Sequence, residues 1–427
     1  MKIVVMGLGY IGLPTGIMFA NYGQQVIGVD TQSEVVQSLQ NSQVHIEEPG
    51  LQEALEQAIG MGNFKAQVKV EKADVFIVAV PTPNKNDDYK SCDLTYVISA
   101  INMILPHLEQ GNTIIVESTI APRTTEEIIV PLVEKAGFEV GKDVFLVHCP
   151  ERVLPGQVLH ELLYNDRIIG GITPACTEAG KKIYEIFVKG KLIPASASVA
   201  ELSKLMENTY RDVNIALANE LVRVGDELKI DSLQVIEIAN RHPRVNIHSP
   251  GPGVGGHCLA VDPYFISAKA PSVTPLIQQA RKVNNFMPSF ITCKVSQIMS
   301  KINGKKITVL GVAYKGNVDD IRESPALEII DLIKKKDVYE VSIFDPHVKA
   351  DWIEENYDKA IEDSDLLLIL TDHDEFKQIN FENRLVFDTK NILKNHNESQ
   401  VITLGNIYDT GVIKIGKNRC NYAIRNK

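Results

Sequence analysis

The chain has 427 residues, a length that predicts two or three domains at roughly 100–200 residues each. Because 44 Lys and Arg residues face 54 Asp and Glu residues, the formal charge is −10, which argues against nucleic acid as a partner. No stretch reaches the ~18 uninterrupted apolar residues of a membrane-spanning helix. Six cysteines without a pairing framework are typical of a reducing compartment, so we expect a cytoplasmic protein.

The first thirty residues have the pattern of a strand, a glycine turn, a helix and a second strand. The apolar run KIVVM precedes the glycines, GLPTGIMFANYG has helical spacing, and QVIGVD ends in an acid. Further apolar runs alternate with helical segments: ADVFIVAVP, NTIIVEST and DVFLVHCP. This alternation predicts a doubly wound parallel sheet over residues 1–195.

Residues 196–300 have the apolar spacing of helices and are predicted to form a separate central domain. From Ser198 to about Leu228 the apolar positions keep a helical period: Leu202, Leu205, Met206, Val213, Ala216, Leu217, Leu221 and Val224. Strand-like runs return over residues 301–427, in KKITVLGVA, EVSIFDP, DLLLILTD, RLVFDTK and QVITLG. The predicted fold class is α/β, with two Rossmann-like doubly wound domains joined by a helical central domain.

A glycine-rich turn follows the first predicted strand. Gly7-Leu8-Gly9-Tyr10-Ile11-Gly12 has the pattern G-x-G-x-x-G, and Asp30 closes the next strand. In this context the glycines let backbone N–H groups approach a pyrophosphate, and the acid accepts hydrogen bonds from ribose hydroxyls. Because a carboxylate repels a 2′-phosphate, we expect NAD rather than NADP. A purely structural turn is the alternative.

Two threonines at the carboxyl ends of later strands are weaker cofactor candidates. Thr82 lies in VPTP and Thr119 follows NTIIVES. Cofactors of doubly wound sheets bind at this edge, although single residues there are more often strand termini than contacts.

A cysteine beside two glycines is the second chemical signal. In Gly255-Gly256-His257-Cys258 the cysteine is predicted to begin a helix, whose dipole favours a nucleophilic thiolate. With the helix beginning there, Asp262 would share a face with Cys258. The alternative is a small buried hydrophobic residue, as most free cysteines are.

Lys204, Asn208 and Arg211 form a polar stripe on the predicted central helix, at spacings of i, i+4 and i+7. A solvated helix face is one interpretation of this stripe. A lysine and an amide directed into a cleft would instead stabilise a developing oxyanion.

Together with Val309–Lys315 and Asp320–Pro325, these motifs resemble the nucleotide-sugar 6-dehydrogenases, in the family's order and from Met1 to about residue 395. Pro150–Gly156 and His242–Asn246 are similar to the branch that acts on UDP-N-acetylhexosamines, above all UDP-N-acetylmannosamine. The UDP-glucose branch typically carries PEFLREG at the first of these positions, from which this sequence departs.

The resemblance implies that the C6 hydroxyl of the sugar is oxidised to the uronic acid with two NAD+, for surface (capsular) polysaccharide synthesis. Cys258 would hold the sugar as a thiohemiacetal and then as a thioester. Lys204 with Asn208 would stabilise oxyanions, and Asp262 would order Lys204 or a water. Glu151 would be the base for thioester hydrolysis, and Thr119 would position water or cofactor.

The resemblance also implies the binding residues. The implied substrate contacts are Arg152, Val153, Lys204, Asn208, Arg211, His242, Arg244, Gly255, Tyr314, Lys315 and Lys390. Arg322 would contact the NAD pyrophosphate. A homodimer built on the central helices is implied, with Arg244 reaching the neighbouring subunit's site.

Other interpretations remain open. UDP-N-acetylglucosamine, UDP-N-acetylgalactosamine or UDP-glucose is the alternative substrate within the family. A two-electron hydroxy-acid dehydrogenase would not need Cys258, and a scaffold without chemistry would not need Lys204. Cys92 is a redox candidate for a disulfide with Cys258. No H-x-x-x-H or C-x-x-C spacing indicates a metal site.

Overall fold

The computed structural model describes residues 1–410 except 155, 380, 382, 383 and 394–400. These residues form two compact units. The first contains Met1–Glu207 and Tyr264–Pro271, and the second contains Asn208–Pro263 and the chain from Ser272. Residues 411–427 of the predicted third domain lie outside the described part. No described helix is both long and apolar enough to cross a membrane.

The first unit contains an eight-stranded sheet with the strand order β3-β2-β1-β4-β5-β6-β7-β8. Neighbouring strands are parallel except β6 and β7, so the last two strands run opposite to the others. The strands are β1 (Lys2–Met6), β2 (Gln25–Val29), β3 (Phe64–Gln67), β4 (Val75–Val78), β5 (Thr113–Val116), β6 (Phe145–His148), β7 (Arg167–Gly171) and β8 (Leu192–Ser196).

Helices cover both faces of this sheet. They are α1 (Gly12–Asn21), α2 (Ser33–Gln40), α3 (Leu51–Gly60), α4 (Thr95–Ile104), α5 (Val130–Lys135), α6 (Val158–Tyr164) and α7 (Pro174–Tyr184). Successive side chains of a strand point to opposite faces, so Ile3 and Val5 belong to one core cluster and Val4 and Met6 to the other. Burial on both faces explains why the central strands are continuous apolar runs.

Two long helices follow. The 32-residue α8 (Ala197–Leu228) passes from the first unit into the second, and α11 (Pro275–Ile302) has 28 residues. Two shorter helices lie between them in the sequence, α9 (Ser232–Ala239) and α10 (Asp262–Lys269).

The second unit contains a parallel five-stranded sheet with the order β10-β9-β11-β12-β13. Its strands and remaining helices are β9 (Lys306–Leu310), α12 (Pro325–Lys334), β10 (Glu340–Phe344), α13 (Tyr357–Ile361), β11 (Leu366–Ile369), β12 (Val386–Asp388) and β13 (Val401–Thr403). Apolar side chains of α11, such as Met287 and Phe290, share a core cluster with Ile307 and Val309 of β9.

The predicted fold class is confirmed, with one correction to the all-parallel first sheet. Every strand-like run named from the sequence is a strand, whereas β3, β7 and β8 were missed. Two of these are edge strands, and β8 is largely exposed and contains Pro194. Edge strands carry weaker apolar patterns and tolerate proline, so the sequence signal is weakest there.

Candidate active site

The glycine turn links β1 to α1 in a conformation that requires glycine. Gly7 has a φ of +88°, and its N–H donates to the Val29 carbonyl over 2.8 Å. A Cβ on Gly12 would lie 1.9 Å from the Gly7 carbonyl oxygen, whereas a Cβ on Gly9 would meet nothing within 4 Å. Gly7 and Gly12 are therefore needed by the turn itself, and Gly9 leaves open space beside it.

The predicted acid lies where the motif requires it. Asp30 follows β2 and is half-buried, and its carboxylate accepts hydrogen bonds from the backbone N–H groups of Leu8 and Gln32, each over 2.9 Å. These bonds fix the carboxylate beside the glycine turn while leaving part of it accessible. An accessible carboxylate at this point can accept hydrogen bonds from ribose hydroxyls.

The chain around the turn fits a dinucleotide. Gly12 begins α1, and the N–H groups of Ile11 and Gly12 have no backbone acceptor among the described residues. Unsatisfied N–H groups and the positive end of a helix dipole bind anions such as a pyrophosphate. Gly9 and the half-buried Tyr10 complete the predicted motif on the surface side of the turn.

The loops after β4 and β5 are joined at the same sheet edge. The hydroxyl of Thr82 donates to the Thr119 carbonyl over 2.6 Å. The Ser118 hydroxyl accepts from the Val80 N–H and donates to the Val80 carbonyl. Thr82 and Thr119 are thus close together, as expected from their positions at neighbouring strand ends.

Glu151 follows β6 and is buried, with both carboxylate oxygens engaged. One oxygen accepts from the Arg152 N–H over 2.6 Å, and the other accepts from the Arg167 guanidinium. The next predicted residue, Arg152, pairs its own guanidinium with Glu207 at 2.6 Å. Val153 packs against the first core cluster.

Lys204 lies on α8 in the first unit and is only 9% exposed. In the part of the chain that the structure describes, its ammonium has no hydrogen bond and no carboxylate partner. A buried ammonium normally has an anionic or polar partner, because desolvation of a charge is costly. Lys204 is therefore available to a ligand that develops negative charge.

One turn further along α8, in the second unit, Asn208 donates to Asp262 over 2.6 Å, and both side chains are buried. The Cys258 carbonyl accepts from the N–H groups of Val261 and Asp262. The structure thus brings Asn208, Asp262 and the Cys258 turn together within this unit.

The helix that was predicted to begin at Cys258 begins four residues later. The half-buried Cys258 lies in a turn, and α10 begins at Asp262. Pro263 explains this start, because proline is favoured in the first turn of a helix and restricts the residue before it. Cys258 therefore lies just before α10 rather than in its first turn.

The loop that precedes Cys258 packs against the third motif. A Cβ on Gly255 would lie 2.5 Å from the Glu323 carbonyl oxygen and 3.0 Å from the Tyr314 Cβ. Gly256 has a φ of +85° and donates its N–H to the Arg322 carbonyl over 3.0 Å. Close approach of two backbone segments accounts for both glycines.

His257 lies between this loop and the third motif. Its Nδ1 is 3.5 Å from an Asp320 oxygen and 3.1 Å from the Arg322 guanidinium. Hydrogen bonding to Asp320 raises the pKa of His257 to about 9. Arg322, the predicted pyrophosphate contact, is exposed and donates to both Asp320 oxygens.

The other predicted cations differ in exposure. Arg211, His242, Arg244 and Lys315 are exposed, whereas Lys390 is partly buried and lies 3.3 Å from Asp372. Exposed cations remain available to an anionic ligand or a neighbouring subunit.

Three asparagines that the sequence analysis missed hold the loop with His242 and Arg244. Asn214 binds the Asn246 carbonyl and the His248 N–H, and Asn240 binds the Ile247 N–H and carbonyl. Asn219 accepts from the Gly251 N–H over 2.9 Å. Their partners are 7 to 34 residues away, too far for a local motif to reveal.

Cys92, the redox candidate, and Cys149 are both buried. The proposed pairing of Cys92 with Cys258 stays a prediction. Burial raises the pKa of the Cys149 thiol to about 12, so this thiol is a poor nucleophile.

One described cluster has metal-binding residue types: His347, His373 and Glu375. His373 Nδ1 accepts from the Asn317 N–H over 3.0 Å, so Nε2 carries the proton and donates to Asp345 over 3.2 Å. With both nitrogens of His373 engaged, this cluster is structural.

Comparison with known proteins identifies three matching domains in chain order. The chain matches the NAD binding domain of the UDP-glucose/GDP-mannose dehydrogenase family over residues 1–188, its central domain over 198–286 and its UDP binding domain over 308–395.

Similar whole proteins have been solved or curated. The UDP-N-acetyl-mannosamine dehydrogenase Cap5O from Staphylococcus aureus has 53% sequence identity to this chain, and its structure matches with a TM-score of 0.90. The match covers 96% of this chain and 100% of Cap5O. A UDP-D-ManNAc dehydrogenase from Pyrococcus horikoshii is 40% identical, with a TM-score of 0.90 and the same coverage. The UDP-N-acetyl-D-mannosamine dehydrogenase of Methanococcus vannielii is 47% identical over 93% of this chain and 94% of its own.

Proposed function

Because the chain belongs to the UDP-glucose/GDP-mannose dehydrogenase family, with NAD as its cofactor, we propose that it oxidises UDP-N-acetylmannosamine to UDP-N-acetylmannosaminuronic acid. The similar proteins named for this substrate, at 40–53% identity, support the choice of sugar. UDP-glucose and the other UDP-N-acetylhexosamines are the less favoured alternatives. The uronate would serve surface (capsular) polysaccharide synthesis in the cytoplasm, where UDP-sugars and NAD are available.

The observation that carries this proposal is the Asn208–Asp262 hydrogen bond beside the Cys258 turn. Two buried polar side chains from distant parts of the chain meet at the end of the turn that contains the half-buried Cys258, whose carbonyl accepts the Asp262 N–H. A two-electron dehydrogenase needs no such thiol, whereas oxidation of an alcohol to an acid benefits from covalent capture of the aldehyde.

In the proposed reaction, NAD+ held at the Gly7–Gly12 turn and Asp30 would supply the hydride acceptor, with one NAD+ used in each of two oxidations at C6. The proton of the C6 hydroxyl is released to water as the aldehyde forms. The Cys258 thiolate adds to the C6 aldehyde, forming a C–S bond and an oxyanion that the Lys204 ammonium and the Asn208 amide stabilise. The second oxidation leaves a thioester on Cys258. Water then attacks the acyl carbon as Glu151 accepts its proton, the C–S bond breaks, and the thiolate is restored.

UDP carries a diphosphate into a protein of formal charge −10. Binding therefore depends on local cations rather than on the overall field. We assign this role to Arg152, Arg211, Arg244, Lys315 and Lys390, with the remaining sugar and nucleotide contacts at Val153, His242, Gly255 and Tyr314.

A homodimer is part of the proposal, with Arg244 reaching the neighbouring site. An exposed apolar stripe along α8 supports it: Val199, Leu202, Met206, Tyr210, Leu217, Val224 and Leu228. Apolar residues at helical spacing on one exposed face are typical of a helix–helix interface. Sedimentation is expected to show at least a dimer, and a fully active monomer would contradict this assignment.

The substrate is tested by measuring NADH released per sugar with UDP-N-acetylmannosamine, UDP-N-acetylglucosamine, UDP-N-acetylgalactosamine and UDP-glucose. We expect two NADH per UDP-N-acetylmannosamine and the highest kcat/KM for this sugar. A ratio of one would contradict the thioester route, and faster oxidation of another sugar would reassign the substrate.

Cys258→Ser tests the thiol. We expect this variant to bind the UDP-sugar but to form no uronate, because a protonated serine hydroxyl is a poorer nucleophile than a thiolate and would give an ester rather than a thioester. Cys149→Ser is the matched control, since that thiol is buried with a raised pKa and is expected to leave kcat unchanged. A fully active Cys258→Ser enzyme would overturn the assignment.

A further inference from the structure

A buried arginine lies between two carboxylates in the first unit. Arg167 Nη1 donates to Glu117 over 3.0 Å, and its Nη2 donates to Glu151. The three side chains are 5%, 0% and 8% exposed, respectively. Arg167 begins β7, Glu117 follows β5 and Glu151 follows β6, so adjacent strands of the sheet bring the three groups together.

Glu117 is itself held in place. The Tyr184 hydroxyl donates to one of its oxygens over 2.6 Å, and the Thr15 hydroxyl donates to the other over 3.2 Å. The Tyr184 ring also lies 4.5 Å from the Arg167 guanidinium. These contacts fix the Glu117 carboxylate, which in turn holds Nη1 of Arg167 while Nη2 binds Glu151.

The charges of the three side chains indicate that this triad orients Glu151 and adds little to the stability of the fold. Burial, opposed by Arg167 and reinforced by the charge of Glu151, raises the pKa of Glu117. Arg167 stays charged, because the neighbouring carboxylates outweigh its own desolvation and raise its pKa. Desolvation offsets much of the Coulombic gain in a buried triad of this kind, so its net contribution to stability is small.

We propose that Arg167, held by Glu117, is the positioning residue that fixes Glu151 for hydrolysis of the Cys258 thioester. This inference rests on the proposed function. Arg167 binds one oxygen of Glu151 and the Arg152 N–H binds the other, so the plane of the carboxylate is set before water is activated. Loss of this orientation slows the step in which Glu151 takes the proton of water, and leaves the two preceding oxidations intact.

Arg167→Lys tests the inference, because lysine keeps the charge but cannot bind two carboxylates with a planar fork. In stopped flow, we expect a burst of two NADH per site followed by a steady rate that is about 10-fold slower, the loss expected for about 1.4 kcal/mol. Mass spectrometry of acid-quenched enzyme should show the sugar acyl group on Cys258. Hydroxylamine, which attacks a thioester without a general base, should restore turnover.

Arg281→Lys is the matched control. Arg281 lies 2.6 Å from Asp212 in the second unit, with side-chain exposures of 5% and 0%, the same as for Arg167 and Glu117. We expect this variant to lose stability without a burst or a trapped acyl group. A second test variant, Glu117→Gln, keeps the side-chain shape should Arg167→Lys fail to fold, and is expected to give the same burst with a roughly threefold slower steady rate.

The outcomes separate the two hypotheses. If a folded Arg167→Lys or Glu117→Gln enzyme shows no burst and no trapped acyl group, the positioning role is wrong. Equal acyl accumulation in Arg281→Lys would also overturn it, since any lost buried ion pair would then suffice. If the wild-type enzyme forms no uronate at all, it is the proposed function that fails.

Discussion

The first strand of each sheet is followed by the same type of glycine turn, but only the turn in the first unit has the features of a dinucleotide site. After β1, Gly7 has a φ of +88° and donates to the Val29 carbonyl; after β9, Gly311 has the same φ and donates to the Phe344 carbonyl. In each unit an aspartate then follows the second strand and accepts an N–H from the residue after the glycine. This turn is a structural solution that both sheets share.

The difference lies in what is left available. Asp345 is buried and accepts hydrogen bonds from four backbone N–H groups and from His373, whereas Asp30 is half-buried and accepts two. The helix begins at Gly12 in the first unit but only at Pro325 in the second. An aspartate with accessible oxygens and a helix N-terminus at the turn are what distinguish a dinucleotide site from a structural turn.

Gly12→Ala should have the largest effect on this comparison. Its Cβ would lie 1.9 Å from the Gly7 carbonyl oxygen, so the turn must shift. We expect a loss of about 3 kcal/mol in NAD binding, which is at least about 100-fold in Kd. Titration of NAD by calorimetry at a temperature where the variant is folded measures this effect.

Two alanine variants control for it. Gly9→Ala adds a Cβ to open space, so it should leave the melting temperature unchanged and weaken NAD binding alone. Gly311→Ala places a Cβ 2.4 Å from the Thr371 Cβ at a φ of +88°, so it should lower stability and leave NAD affinity unchanged. Normal NAD binding by Gly12→Ala would show that the cofactor does not bind at this turn.

Asp345→Asn should destabilise the second unit by about 3 kcal/mol, because an amide cannot accept all of the hydrogen bonds that this carboxylate accepts. Despite burial, hydrogen bonds from His373 and backbone N–H groups lower the pKa of Asp345 to about 2. Its stabilising contribution is therefore complete above about pH 3.8, the ordinary value, and is lost as the pH falls through about 2. Urea unfolding at pH 7 and pH 3 measures it.

Asp30→Asn is the corresponding change in the first unit. Its half-buried carboxylate makes two backbone contacts, so we expect a stability loss of about 1 kcal/mol and a roughly 10-fold loss of NAD affinity. Discrimination against NADP should fall as well, since the repulsive charge is gone. Equal effects of Asp30→Asn and Asp345→Asn on NAD affinity would contradict the distinction between the two turns.

Features formed by residues that are close together in the sequence could be predicted, whereas contacts between distant residues could not. The central strands are continuous apolar runs, and Gly7–Gly12 with Asp30 is a compact motif, so both were recognised. Edge strands such as β8 lack that signal because they are exposed. The Glu117–Arg167–Glu151 contact joins residues up to 50 positions apart, and its partners follow no spacing rule, so only the fold reveals it.

Acid should affect the first sheet before the second. Burial lowers the pKa of His148, at the end of β6, to about 3. Since the unfolded chain binds a proton near pH 6.5, stability is complete above that value and falls as the pH drops toward 3. The loss at pH 5 is about 2 kcal/mol. Hydrogen exchange should show β6 losing protection by pH 5 and β9 only near pH 3, and simultaneous loss would contradict this.

The smallest effect is expected at His257, which lies beside Asp320 and Arg322 in the second unit. Its pKa is raised to about 9 by Asp320, so the interaction stabilises the fold fully below pH 6.5 and is lost as the pH rises through 9. Because the His257 side chain is 40% exposed, the contribution should stay below about 1 kcal/mol. Melting temperatures of the wild type and His257→Asn should therefore converge between pH 7 and pH 10, and a constant difference would show that the imidazole acts through packing rather than charge.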